Sequence, residues 1–296
     1  MERCRMGPVE VSRLVYGMWR LGDDPDTSVA RVRAKLDACL GQGITTLDQA
    51  DIYGGYSAED LLGRALRSAP GLRDRFEIVT KCGIVAPVGR HSAARVKHYD
   101  TSARHIEESV ETSLRLLGTD RIDLVLIHRP DPLIDPDETG SALDRLVRAG
   151  KTRAVGVSNF RPWDMTLLQS RMETPLATNQ IEISLGARSA FTGPDLPFLQ
   201  ERGIRPMAWS PLAGGRLLAE ADAPLRQRLE SLGAEAGADW SAVAVAWLLR
   251  HPAGIVPVLG TNDPARIARL SGSLGIEMDR QTWFELYTLA QGREVP

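Results

Sequence analysis

Short apolar runs, each followed by a stretch with helical spacing, recur from residue 14 to residue 260, and this alternation limits the fold more than any other feature of the chain. The runs are LVYGMW (14–19), ITTLD (44–48), FEIVTK (76–81), DLVLIH (123–128), RAVGVSN (153–159), ATNQIEI (177–183), IRPMAWS (204–210) and IVPVLG (255–260). Several, such as LVLI, are apolar on consecutive residues, which suits a parallel strand covered on both faces. Between them, Val29, Val32, Leu36 and Leu40 recur at helical spacing before Gly41, a C-terminal stop. Ser57 with Asp60 three residues on reads as a capping box ahead of Leu61, Leu62, Ala65 and Leu66. Ile106, Val110, Leu114 and Leu117 are closed by Gly118, and Leu143, Leu146 and Val147, then Met165 and Leu168, continue the pattern.

Strand and helix alternating in this way within 296 residues predict an α/β chain folded as a closed (β/α)8 TIM barrel. A doubly wound open sheet is the rival, weakened because no strand-to-helix turn reads G-x-G-x-x-G. With no Ser/Pro-rich linker and no shift in composition, residues 1–296 are expected to form a single domain. MGPVEVSRL would be a short extended cap on the barrel bottom, and DRQTWFELYTLA (279–290) a helix added after the last unit.

Charge and apolar content exclude several function classes. The formal net charge is -2, so there is no positive field to hold a nucleic acid. The start MERCRMGPVE lacks an apolar leader core, and VAVAWLL (243–249) is too short to span a bilayer, so a cytoplasmic protein is expected. Cys4, Cys39 and Cys82 have no paired spacing, which indicates reduced thiols rather than a disulfide framework or a zinc site. Cys82 reads as a small apolar filler at a strand end.

In a barrel of this kind chemistry belongs at the carboxyl ends of the strands, where the following loops converge on one mouth. Asp48 ends the second run, Tyr53 lies in the loop after it, Lys81 ends the third and His128 the fourth. Each alone has an ordinary structural explanation, but an acid, a phenol, a cation and an imidazole on adjacent strand ends form a working set. A tyrosine titrates near pH ~10, and a neighbouring ammonium lowers that value by stabilising the phenolate. Lys81 supplies the ammonium, Asp48 keeps it charged and aimed, and His128 donates a second hydrogen bond to an oxygen held by Tyr53. No metal is needed.

The ordered motifs LDQADIYG, IVTKCG, LVLIHRPDP, VGVSNF and ATNQIEIS resemble the aldo-keto reductases, and especially a YdhF-like bacterial branch of them. The resemblance runs from GMW at 17–19 to the C-terminal VP, and by it Asp48, Tyr53, Lys81 and His128 match the family's catalytic tetrad. It implies a nicotinamide dinucleotide held along the barrel rim. Ser158, Asn159 and Gln180 are similar to the family's contacts to the carboxamide, and Trp209 stands where relatives stack a tyrosine on the nicotinamide. Gly17, Trp19, Ser210 and Leu212 complete that part of the expected cofactor site.

The phosphates call for the last two loops. SPLAGGR (210–216) offers Gly214 and Gly215 for close backbone approach and Arg216 for the pyrophosphate. GTNDPAR (260–266) offers Asp263 as an N-cap, Pro264 at the first helical position and Arg266 one turn in. Arg266 matches the family's arginine for the adenosine 2′-phosphate, with Thr261 and Asn262 as neighbours, which favours NADPH over NADH. Gly260 departs from the lysine of many relatives, and part of the selecting charge is missing there.

The expectation is therefore NADPH-dependent reduction of a small aldehyde or ketone by a monomer, with Tyr53 as general acid. Two readings of other kinds are a dinucleotide-binding regulatory module on the same fold and a Schiff-base enzyme using Lys81. Substrate choice is placed in the loops: Trp19 and Tyr56, which either wall the pocket or pack the rim, and segments 84–99 and 129–137. Arg129 either attracts an acidic substrate or pairs with Asp131.

Overall fold

The computed structural model describes residues 1–296. Eight parallel strands close into a barrel. They are β1 (Val15–Gly17), β2 (Thr46–Asp48), β3 (Glu77–Cys82), β4 (Ile122–Ile127), β5 (Thr152–Ser158), β6 (Leu176–Glu182), β7 (Met207–Trp209) and β8 (Val256–Leu259). Neighbours in sequence are neighbours in space all the way round, and β8 pairs with β1 through Val258 opposite Val15. The expected barrel is therefore present, and each apolar run supplies one staff of it.

The hairpin Arg3–Met6 and Val9–Ser12 closes the bottom. Cys4, Met6, Val9 and Val11 pack with Val15, Val79, Leu124, Leu126, Met207 and Val256 in one cluster, so the barrel is a filled core and not a pore. Residues of the opposite parity, among them Tyr16, Leu47, Ile78, Val125 and Val155, join the helices in the outer layer. Those helices include α1 (Val29–Gly41), α2 (Ala58–Arg67), α3 (Ala103–Leu117), α4 (Pro136–Arg148) and α5 (Pro162–Gln169). The last helix, Arg280–Gln291, lies outside the barrel units and is pinned by Trp283, which stacks on Trp247 at 4.7 Å between ring centres. No helix is long and apolar enough to cross a membrane.

Local signals hold where the backbone has no competing partner. Ser102 and Asp135 cap α3 and α4, and Gly118 ends α3 in the left-handed conformation. The capping box expected at Ser57 does not form. Gly54 and Gly55 turn the chain through two successive left-handed residues, and the Ser57 hydroxyl donates back to the Gly54 carbonyl at 2.7 Å. Asp60 pairs with Arg64 instead.

Candidate active site

Period-two alternation selects the side chains that reach the mouth. Residues two apart on a strand point the same way, so strands whose inner residues fill the barrel deliver the next inner residue to the rim. Val79 is followed by Lys81, Leu126 by His128, Met207 by Trp209 and Val258 by Gly260. On β2 and β6 the same step places Asp48 after Thr46 and Gln180 after Thr178.

These residues meet. The Lys81 ammonium donates to Asp48 Oδ2 at 2.8 Å, to the Gln49 carbonyl at 2.8 Å and to Tyr53 Oη at 3.0 Å, which uses all three of its hydrogens. Lys81 is 1% exposed and Asp48 2%. Burial pulls a lysine's pKa down, but Asp48 and Tyr53 outweigh it and Lys81 is held above its usual value. The charged form is therefore the one that faces Tyr53.

For the phenol, the expected direction is reversed. Burial pushes Tyr53 up by more than Lys81 pulls it down, Asp48 adds to the rise, and the net position is above the usual value. In this protein Tyr53 is a neutral phenol at neutral pH, with Lys81 limiting the rise.

The His128 ring stands edge-on to Tyr53, 5.9 Å between centres. Burial, with the cations Lys81 and Arg129 beside it, holds His128 well below the usual histidine range, so the ring is neutral. Its Nδ1 is buried without a partner. An unpaired acceptor is tolerated better than an unpaired N–H, so we assign the proton to Nε2 and make that nitrogen the ring's donor.

Ser158, Asn159, Gln180 and Trp209 form one polar group next to this set. Ser158 Oγ donates to the Gln180 carbonyl (2.8 Å), Asn159 Nδ2 to Ser158 Oγ (2.8 Å) and Trp209 Nε1 to Asn159 Oδ1 (2.9 Å). Asn159 sits at φ 61°, and Tyr56, Ser210 and Ala213 are the other non-glycine residues with positive φ. All four lie on loops leaving the strand ends, and each costs on the order of 1–3 kcal/mol.

The remaining expected residues are placed as follows. Gly17 and Gly260 are in close approach, a Cβ on Gly260 meeting the Gly17 carbonyl at 3.1 Å. Leu212 packs beneath the seventh loop, where the Gly214 carbonyl accepts from Arg20 at 2.7 Å. Arg216 is paired with Glu220, Arg266 is 3.7 Å from Asp263, and both guanidinium groups are exposed. Asp263 caps the turn opened by Pro264. The Asn262 side chain donates to the Arg20 carbonyl and accepts from Lys35, and Tyr16 Oη donates to the Thr261 carbonyl.

Of the pocket residues, Trp19 is 59% exposed at the rim. Tyr56 is buried, its hydroxyl donating to the Ile84 carbonyl and accepting from Ala86 N–H, so it packs the rim and fastens segment 84–99. Arg129 does not pair with Asp131, whose carboxylate takes Thr101 Oγ1 and Leu133 N–H. Its guanidinium lies 5.6 Å from the Trp209 ring centre.

A dinucleotide suits this donor set. Asn159 Oδ1 keeps a lone pair and Gln180 Oε1 is unused, which are acceptors for an amide; Trp209 offers a flat ring. Arg20, Arg216, Arg266 and the Thr261 hydroxyl supply the cations and donors that phosphates require.

Residues 13–289 match the Aldo/keto reductase family. The chain belongs to that family. It is 66% identical to a 6-dehydroglucose reductase of Agrobacterium fabrum and 44% identical to Oxidoreductase YdhF of Escherichia coli, covering 100% of each chain in the first pair and 98% and 97% in the second. An aldo/keto reductase from Klebsiella pneumoniae, solved in complex with NADP and acetate, superposes with a TM-score of 0.78 at 29% identity, covering 99% and 96%. The protein is thus an oxidoreductase of a family that uses a nicotinamide dinucleotide.

This aldo-keto reductase also uses residues that the sequence reading missed. Lys35, fully buried on α1, forms an ion pair with Asp24 and donates to Asn262 Oδ1 at 2.9 Å, while Arg31 donates to the Asn262 carbonyl. One network therefore fixes the loop expected to hold the 2′-phosphate. Its signal was available: a lysine beside Leu36 on the apolar face of a helix. Asp51 and Glu59, buried behind Lys81, form a second missed cluster, with Arg90 reaching Asp51 at 3.2 Å.

Proposed function

We propose that this chain reduces the carbonyl of a small sugar aldehyde, of the kind its 6-dehydroglucose reductase relative is named for, to the alcohol with NADPH. The observation that carries the reading is the unbroken contact from Asp48 through Lys81 to Tyr53, with a neutral His128 beside the phenol. NADPH, when bound, supplies the hydride. As the carbonyl carbon becomes an alcohol carbon, the π pair moves onto oxygen; His128 Nε2–H and Tyr53 Oη–H stabilise that charge, and Tyr53 delivers the proton. A phenol above its usual pKa can still do this, because an alkoxide is far more basic. The Lys81 ammonium then stabilises the phenolate until a proton returns.

Asn159, Gln180 and Trp209 orient the nicotinamide end in this reading. Gly17, Trp19, Ser158, Ser210 and Leu212 complete its cradle, and Gly214, Arg216, Gly260, Thr261, Asn262 and Arg266 serve the phosphates. Fixing both partners in one geometry replaces a bimolecular encounter. Arg129, unpaired at the mouth, offers donors to substrate hydroxyl groups, and Trp19 walls the opening. All these side chains come from one chain, so a monomer suffices. The three buried free thiols suit a reducing cytoplasm.

The test is NADPH consumption with 6-dehydroglucose and a panel of aldehydes, for the native chain and for Tyr53→Phe. Tyr53→Phe should lose roughly 10²–10⁴-fold in turnover while still quenching on NADPH addition like the native chain. Undiminished reduction by that variant would remove Tyr53 as the acid.

A further inference from the structure

Gln180 is expected, by likeness, to meet the cofactor carboxamide. The structure shows another use for its side chain. Gln180 Nε2 donates to Asp48 Oδ1 at 2.7 Å, and its second hydrogen points to Met207 Sδ at 3.7 Å. The amide orientation is forced, because an ionised carboxylate accepts and cannot donate. β6 and β2 stand four places apart in a ring of eight, so this bond crosses the barrel from one wall to the other. It joins residues 132 apart in sequence.

The two Asp48 oxygens are thus divided. Oδ2 takes Lys81 at 2.8 Å and Oδ1 takes Gln180, and these are the only side-chain partners of a carboxylate that is 2% exposed. With so little water, a donor on Oδ1 takes up part of the charge that would otherwise act on the ammonium. Lys81 is shared between Asp48 and Tyr53 Oη at 3.0 Å. Whatever weakens the hold of Asp48 on Lys81 leaves more of its charge for the phenol.

We infer that Gln180 is a positioning residue for proton transfer: it holds the Asp48 carboxylate from across the barrel and thereby sets how much of the Lys81 charge reaches Tyr53. Its Oε1 carries no bond within the chain, so the same side chain has one end in the proton relay and the other open to the cofactor amide. The inference rests on the reductase reading of this site and adds a residue to it.

Gln180→Glu separates this role from a carboxamide contact alone. While the introduced carboxyl group is protonated, it can donate O–H to Asp48 and still offer a carbonyl oxygen, so it imitates the glutamine. Once ionised, it sets a second carboxylate against Oδ1 of Asp48, and the pair must share a proton. The folded-state pKa of the introduced acid is then raised above its unfolded value of ~4.3. Stability relative to the native chain is retained at low pH and lost as pH rises, with the unfolding equilibrium constant growing up to ~10-fold per pH unit.

Two measurements are made on the full chain from pH ~5 to ~8. Urea unfolding of Gln180→Glu and the native chain gives the ratio of unfolding constants, and NADPH-dependent reduction gives the ratio of kcat values. The expected result at saturating NADPH is a kcat ratio that falls as pH rises, alongside an unfolding ratio that grows with pH and grows less when both chains also carry Asp48→Asn, which removes the facing carboxylate. A kcat ratio that does not change with pH would overturn the proposal, because an acid that met only the carboxamide would change the KM for NADPH as it ionised and leave kcat flat; an unfolding ratio that grows equally with and without Asp48→Asn would do the same, because burial of the new carboxyl alone then accounts for it. The unfolding measurement needs no turnover, so an inactive native chain would defeat the reductase reading while this test of the Gln180–Asp48 contact still stands.

Discussion

Replacing Asp51 by asparagine should make this protein more stable, and increasingly so as the pH rises. The Asp51 side chain has no exposed area; Oδ2 receives one 3.2 Å bond from Arg90, and Oδ1 has no partner. Glu59 shares the enclosure, held by Thr80 and Ser113. Burial first, and the neighbouring Glu59 next, push Asp51 up to about 8, against a smaller downward pull from Arg90. The unfolded value is ~3.9, so between about pH 4 and 8 the native state keeps a proton that the unfolded chain has released, and stability falls as pH rises through that window. At about 1.4 kcal/mol per pH unit the cost approaches 4 kcal/mol by pH ~7.

That cost already includes the attraction of Arg90. Asparagine has nearly the shape of the protonated acid and no charge to desolvate, so the variant should gain on the order of 3 kcal/mol at pH ~7 and almost nothing near pH ~4. Urea unfolding of both chains across the range measures the difference. A less stable Asp51→Asn at pH ~7 would make Arg90 and Asp51 a stabilising ion pair, and either that result or a gain that is the same at every pH would defeat the desolvation account.

Two further outcomes follow from single contacts. Arg266→Ala should weaken NADPH by roughly tenfold or more and leave NADH almost unchanged, since a charge-assisted bond to phosphate is worth about 1.5–3 kcal/mol; equal loss for both dinucleotides, read from their dissociation constants, would defeat the 2′-phosphate assignment. Gly63→Ala should destabilise the fold by on the order of 3 kcal/mol, because its Cβ would stand 2.0 Å from the Leu116 carbonyl oxygen where α2 crosses α3. A loss below ~1 kcal/mol in urea unfolding would show that the two helices part without strain.

The barrel and three of its four central side chains were legible for the same reason, while Tyr53, in the loop after the second strand, was matched by the family resemblance. Short apolar runs mark the strands, and the two-residue period of a strand decides which of its residues faces the mouth; Asp48, Lys81 and His128 each stand at the end of such a run. What local spacing cannot carry is a partner brought in by the fold. Ser57 has the spacing of a cap, but two left-handed glycines give its hydroxyl a nearer acceptor. The direction of the Tyr53 shift depends on how deep the phenol sits, and depth belongs to the assembled barrel. Lys35 and Asn262 are 227 residues apart, and no window contains both.

These departures are not scattered. Positive φ at the non-glycine residues Tyr56, Asn159, Ser210 and Ala213, the buried ionisable groups of Asp48, Asp51 and Lys81, and the unpartnered Nδ1 of His128 all belong to the strand ends and the loops above them. At the other end the hairpin and the apolar layers follow periodicity and close packing, and the buried Arg13 and Asp123 there are held by the Ile255 carbonyl and by Arg73 and Arg153. A chain that obeys local rules through its body and breaks several of them around one mouth holds strain and desolvated charge where a reaction can draw on them. Buried charge occurs at both ends of the barrel, but left-handed backbone outside glycine occurs at only one. The confinement of that strain to the mouth ties it to the site.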